Sequence, residues 1–165
     1  MTRNDFPAMI DDMGISQGAE IGVNMGEFSY ALLRHSRIKT LWSVDPWVGK
    51  TAPTYENAIS LLSEFGLRSR IVCETSEAAG KIARQDGEKF GFVYIDGDHL
   101  YQSVKNDIET WLPLLTTPGI LAGHDYLTGI RKCNVIPAVN ETAEKLGLPI
   151  SLTREKWASW FFVIG

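Results

Sequence analysis

Two largely apolar runs in this chain end in groups that do chemistry. FGFVYI (Phe90 to Ile95) runs into Asp96-Gly97-Asp98-His99, and GILAG runs into His124-Asp125. Carboxylates and imidazoles set directly after an apolar run stand at the rim of a core, where they can hold a cation or move a proton. If the two runs are neighbouring parallel strands, about 5 Å apart, Asp96, His124 and Asp125 converge from two strand ends on one divalent ion. Carboxylate oxygens favour Mg²⁺, Ca²⁺ or Mn²⁺, and an imidazole tilts the set towards Mn²⁺ or a later metal. Apposed acids repel unless something cationic joins them, which argues for the metal. The plainer readings are a metal-free contact for Asp96, a helix cap for Asp98, and a surface or packing role for His99.

A second constellation lies upstream. AEIGVNMGEF places Glu20, Gly22 and Gly26 in the spacing E-x-G-x-x-x-G, and Asp45 ends the next apolar run. Glycines there let a ligand approach backbone where a strand turns into a helix, and an acid about twenty residues on suits ribose hydroxyls. The pair suggests an adenosine-containing cofactor. The dinucleotide spacing G-x-G-x-x-G is absent. Glu20, flanked by apolar residues, would repel a phosphate and needs a cationic partner. S-adenosylmethionine carries an amino group and a sulfonium and no phosphate, so it fits better than a dinucleotide. Against this stands a structural reading, in which Glu20 pairs locally and the glycines only permit tight packing.

These residues need strands to carry them, and the pattern supplies strands. Gly18 to Val23, Thr40 to Val44, RIVC, Phe90 to Ile95 and Gly119 to His124 read as strands. Helical patterns lie between them at Glu27 to Arg34, in YENAISLLSEFG with a Gly66 stop, near Ser76 to Arg84, in YQSVKNDIETWL, and in IPAVNETAEKLG with a Gly147 stop. Pro118-Gly119 reads as a turn. ISLTREKWASWFFVIG reads as two edge strands around a charged turn. The expected fold is α/β, a doubly wound, mainly parallel seven-stranded sheet with an antiparallel C-terminal pair. Its ligand site belongs at the carboxyl ends of the strands.

The 165 residues suit a single domain over residues 1–165. A net charge of −4 argues against a nucleic-acid partner. Cys73 and Cys133 have no metal-ligand spacing and read as free thiols. No segment is a signal peptide or long enough to span a membrane, so the expected location is cytoplasmic. Trp111, Phe161 and Phe162 read as core. Trp47 reads as exposed, a candidate to shield adenine or the acceptor. The loops Pro46 to Thr54 and Tyr126 to Pro137 are lid candidates.

The segments EIGVNMG, SVDPW, YIDGDHLYQSV and GILAGHDY together resemble the class I S-adenosylmethionine-dependent methyltransferases, over about Gly18 to Leu146. The last two are similar to a narrower group, the metal-dependent O-methyltransferases of the macrocin (sugar) type. The resemblance implies a Rossmann-like methyltransferase fold with Glu20, Gly22, Asn24, Gly26, Asp45, Ser76 and Asp96 around the cofactor. It implies Asp96, His124 and Asp125 on a divalent metal (Mg²⁺ or Mn²⁺), Asp98 as general base, and Asp96 and Asp98 as the catalytic pair. The acceptor would be a small hydroxylated molecule, sugar-like or a vicinal diol. Departures are Asn24 where a glycine is frequent, Phe28 where a small hydroxyl residue is frequent, with Ser29 beside it, and His124 where an acid is frequent. Thr75 and Ser76 stand where the resembled fold meets adenine, and either could instead cap a helix. Two rivals remain: a non-catalytic cofactor-binding module, and an NAD-dependent oxidoreductase, against which the loop spacing speaks. A homo-oligomer stays open, because the chain has no inserted lid domain and a partner subunit could supply the missing walls.

Overall fold

The computed structural model describes residues 1–128 and 134–165. Cys133 and part of the loop from Tyr126 to Pro137 lie outside the described residues. Seven strands form one sheet: β1 (Gln17–Ile21), β2 (Thr40–Val44), β3 (Ser69–Val72), β4 (Phe90–Ile95), β5 (Leu115–Gly123), β6 (Ser151–Leu152) and β7 (Trp160–Ile164). Their order is β3-β2-β1-β4-β5-β7-β6. The first five pair in parallel, and β7 and β6 add an antiparallel edge. This is the doubly wound sheet the alternating pattern predicts.

Helices α2 (Glu27–His35), α3 (Tyr55–Leu62), α4 (Ser76–Gln85), α5 (Tyr101–Trp111) and α6 (Val135–Leu146) follow their expected segments, and α1 (Phe6–Asp12) precedes the sheet. Because helices cover both faces, the central strands bury both sets of alternating side chains. In β4, Phe90, Val93 and Ile95 join one core cluster with Trp42 and Trp111. Phe92 and Tyr94 join the other with Phe6, Leu32 and Phe161.

The register levels the strand tips. Ile21 lies opposite both Val44 and Ile95, Val44 opposite Val72, and Ile95 opposite Gly123. The ladder runs one residue further. Gly22 N donates to Val44 O at 2.8 Å, Asp96 N to Ile21 O at 2.7 Å, and His124 N to Ile95 O at 3.0 Å. Gly22, Asp45, Asp96 and His124 therefore stand in one row. The chain order reverses between β1 and β4, the switch point at which such sheets bind ligands.

Three local expectations are corrected. Pro118-Gly119 is no turn; it lies inside β5, whose first half is an extension with Leu115 and Thr116 half-buried and Thr117 and Pro118 exposed. The helix after β2 ends at Leu62, before Gly66, in a 3₁₀ stretch Ser63–Arg68. The sequence reading placed no element before β1, yet α1 is there. Pro at its first turn and a left-handed Gly14 (φ +65) after it are its local signals. Phe6 holds it down, with ring centroids 5.6, 5.7 and 5.7 Å from Phe92, Tyr94 and Phe161.

Candidate active site

The turn after β1 is shaped by two glycines. Gly22 has φ +89, and a Cβ there would stand 2.2 Å from Asp96 O, so only glycine lets the β1 and β4 tips pass. Gly26, at φ +87, opens α2. Between them Asn24 takes φ +52, the left-handed backbone that Asn tolerates.

Asp45 ties this turn to β2. Its Oδ2 accepts from Val23 N at 3.1 Å and Asn24 N at 3.0 Å. Its Oδ1 accepts from Trp47 N at 2.7 Å and Thr51 Oγ1 at 3.2 Å. A carboxylate offers about four acceptor positions, so Asp45 organises the glycine turn with its full capacity. Trp47 is only 5 % exposed, not the surface residue expected. Its Nε1 donates to Asn24 O at 2.9 Å and its ring lies 5.0 Å from that of Tyr55. It braces the turn from behind.

At the tips of β4 and β5, Asp96, His124 and Asp125 each offer a ligand atom within 4.8 Å of the others. His124 Nδ1 is 3.7 Å from Asp96 Oδ1 and 3.2 Å from Asp125 Oδ1. Asp125 takes φ +58, which turns it back towards the β4 tip. His99 joins the group, with Nε2 2.9 Å from Asp125 Oδ2 and 3.8 Å from Asp96 Oδ1. The hydrogen bonds to Asp125 and then Asp96 push the His99 imidazole up to about 10. Hydrogen bonds from His124 and then His99 hold the Asp125 carboxyl far below the usual range.

The cation that Glu20 requires comes partly from within the chain. Arg3, in a 3₁₀ turn ahead of α1, donates from a terminal nitrogen to Asp96 Oδ2 at 2.9 Å and stands 4.0 Å from Glu20 Oε1. Its guanidinium lies 4.0 Å over the Phe28 ring, which explains an aromatic residue at that position. Glu20 also accepts from the Ser29 hydroxyl, which is shared with Ser43 at 2.7 Å. Ser29 thus serves Glu20. Burial pushes the Glu20 carboxyl up to about 8, against the pull of Ser29 and then Arg3.

Asp98 is exposed, and its Oδ2 accepts from Ser103 Oγ at 2.7 Å. It does not cap α5. Thr75 is the cap of α4, accepting from Ala78 N at 3.3 Å. Ser76 Oγ accepts from Trp111 Nε1 at 3.0 Å and bonds Asp107, whose carboxyl burial pushes up to about 6.

One cavity of about 740 Å³ joins these groups. Glu20, Asp96 and Arg3 line one part, the Gly22–Met25 turn and Asp45 the middle, and Ser76 and Asp107 another; Asp98 and His99 also line it. His124 and Asp125 are absent from the lining and meet it through Asp96 and His99. Sequence reasoning missed Arg3, His99 and Asp107. His99 had a usable signal, its position three residues after Asp96. Asp107 sits on the buried face of α5, where a carboxylate among apolar neighbours is itself a signal. Arg3 had none, because only the packing of α1 brings it in.

A parallel sheet with its cavity at the switch point, and acids at the tips of β2 and β4, is the layout in which such folds bind a ligand. Residues 19–126 match a family model described as a methyltransferase domain. The chain belongs to that methyltransferase family. Comparison with curated proteins gives no match. Among solved structures, the chain is similar to a protein assigned as a caffeoyl-CoA O-methyltransferase from Staphylococcus aureus, with TM-score 0.78, 15% identity, and coverage of 99% of this chain and 82% of that one. It is similar to the O-methyltransferase TomG from Streptomyces achromogenes in complex with SAM (TM-score 0.71, 14% identity, 99% and 79% covered). It is also similar to CalS11, a TDP-rhamnose 3'-O-methyltransferase (TM-score 0.68, 20% identity, 91% and 72% covered). At these identities the likeness is one of fold. Among the described residues no helix is long and apolar enough to cross a membrane.

Proposed function

We propose that the chain is an S-adenosylmethionine-dependent O-methyltransferase, assisted by a divalent metal, that acts on a small hydroxylated acceptor of sugar-like or vicinal-diol type. The observation that carries the proposal is Asp96. It lines the cofactor-sized cavity beside Glu20 and is also a member of the Asp96–His124–Asp125 cluster. One residue thus joins a cavity suited to a cationic donor with a cluster suited to a metal. The solved neighbours named above support the cofactor and the oxygen acceptor by fold alone.

The residues fit the donor. Glu20 and Asp96 suit its positive charges, the Gly22 and Gly26 turn brings backbone to the cavity wall, and Ser76 with Asp107 offers polar groups in another part of the same cavity. When bound, S-adenosylmethionine supplies a methyl group activated by the sulfonium. The chain's own task is to align and deprotonate the acceptor. Strand tips fixed by ladder hydrogen bonds hold the geometry. Asp98, exposed at the cavity with Ser103 holding one oxygen, is the base that takes the hydroxyl proton.

The donor set also fits a metal. Two carboxylates and one imidazole suit Mg²⁺ or Mn²⁺, and the ion would supply Lewis acidity next to the base. Charge repulsion alone no longer demands it, because Arg3 and His99 already face Asp96 and Asp125. The proposal therefore rests on convergence of the ligand atoms. A cytoplasmic single-domain enzyme, with Cys73 and Cys133 as free thiols, is part of the proposal. Isothermal calorimetry with S-adenosylhomocysteine tests the core of it. Saturable binding at micromolar ligand is expected, and absence of binding at millimolar ligand would sink the assignment.

A further inference from the structure

We infer that Arg3 recognises the carboxylate of the cofactor's amino-acid end; the inference rests on the cofactor reading above. An α-amino acid end carries both an ammonium and a carboxylate. Asp96, and Glu20 once the ammonium stands beside it and favours its ionised form, suit the ammonium and would repel the carboxylate, so a cation must stand within a few ångströms of these acids. Among the described residues, the lysine and arginine that line the cavity are Arg3 and Lys50. Lys50 belongs to the exposed segment after β2, on the Asp45 side. His99, the remaining basic group of the lining, is held by Asp125 at 2.9 Å. Among the described residues, Arg3 is the cation that faces both acids, 2.9 Å from Asp96 and 4.0 Å from Glu20.

Its guanidinium is both positioned and incompletely used. Phe28 and Tyr94 hold it by their rings, at 4.0 and 4.9 Å from the centroids. Glu155 Oε1 accepts from Arg3 N at 2.6 Å, and Met1 O accepts from Arg154 N at 3.0 Å, so the segment is tied to the turn between β6 and β7. Yet Arg3 Nε is buried with no hydrogen-bond partner among the described residues. A buried guanidinium N–H without an acceptor is costly, and a ligand carboxylate supplies the acceptor in the planar, two-pronged manner that suits arginine. A cofactor lacking that carboxylate would leave the donor unsatisfied.

The test is a cycle of binding affinities by calorimetry. Its ligands are S-adenosylhomocysteine and its α-carboxamide, which keeps the ammonium and lacks the negative charge. Its proteins are wild type, Arg3→Met and Arg3→Lys. Wild type is expected to prefer S-adenosylhomocysteine by roughly tenfold or more. Arg3→Met should weaken S-adenosylhomocysteine to the level of the carboxamide and leave the carboxamide unchanged, and Arg3→Lys should fall between. Equal affinity of wild type for the two ligands would overturn the inference, as would equal weakening or tightening of both by Arg3→Met. If Arg3→Met does not fold, the wild-type preference and its reduction in Arg3→Lys decide. Failure of wild type to bind either ligand overturns the cofactor assignment itself, and the inference with it.

Discussion

A Cβ on Gly22 would stand 2.2 Å from the carbonyl oxygen of Asp96 and 2.5 Å from the amide nitrogen of Gly97. The tips of β1 and β4 therefore meet backbone to backbone, and the glycine turn and the acidic mouth are one structure. Gly22→Ala forces these tips apart at a backbone that already has φ +89. It is expected to cost about 2 kcal/mol or more of stability and to abolish S-adenosylhomocysteine binding. Urea unfolding and calorimetry would show it, and a variant with wild-type stability would contradict the close approach.

Asp98 bonds Ser103 and faces the cavity without capping its helix. Asp98→Asn keeps the shape and removes the proposed base. Its kcat should drop roughly 10²- to 10⁴-fold, while affinity for S-adenosylhomocysteine stays close to that of wild type. A kcat near wild type would transfer the role of base to another group.

The proposed metal role of the Asp96–His124–Asp125 cluster predicts that activity depends on a divalent ion. Dialysis against a chelator should abolish methyl transfer, and Mn²⁺ should restore it at least as well as Mg²⁺, given the imidazole in the set. Asp96→Asn should stay inactive with either ion. Activity indifferent to the chelator would leave the carboxylates to their Arg3 and His99 partners alone.

Asp107 carries a pH signature. Burial raises its carboxyl from 3.8 to about 6 in the folded chain, with Ser76 opposing and Asp98 adding to the rise. The folded state then binds more protons than the unfolded state between these values, so this stabilising contribution is full below pH 3.8 and is lost as pH rises through about 6. Wild-type stability relative to Asp107→Asn should fall by on the order of 2 kcal/mol between pH 4 and pH 7. Denaturant curves of the two proteins across that range would check it, and a pH-independent difference would refute it.

The strands and helices from β1 to α6 were legible because their signals are local. Phe90 to Ile95 is a run long enough to be buried on both faces, and Gly22, Gly26 and Gly147 mark turns that few other residues can make. Strand ends could be aligned in advance because parallel register follows from the fold, and that put Asp96, His124 and Asp125 together. The partners of those groups were not legible. Asp45 was read as a ribose ligand from its place after β2, but its four bonds to Val23, Asn24, Trp47 and Thr51 depend on how the next loop folds back. Trp47 was read as exposed because it follows Asp45-Pro46 in a loop, and Tyr55 and Ala58 cover it only after α3 docks. Arg3 lies 93 residues from its partner Asp96 in the chain. Nothing near it in sequence announces the pairing, since α1 meets the core through apolar residues such as Phe6 and Ile10.

The most direct measurement is a crystal structure of the protein with S-adenosylhomocysteine and Mn²⁺, collected at the manganese absorption edge. The account expects the ligand along the Gly22–Met25 turn with its amino-acid end between Glu20 and Arg3, and an anomalous peak touching Asp96, His124 and Asp125. A ligand bound elsewhere, or manganese absent from that cluster at saturating concentration, would contradict the joining of donor and metal through Asp96.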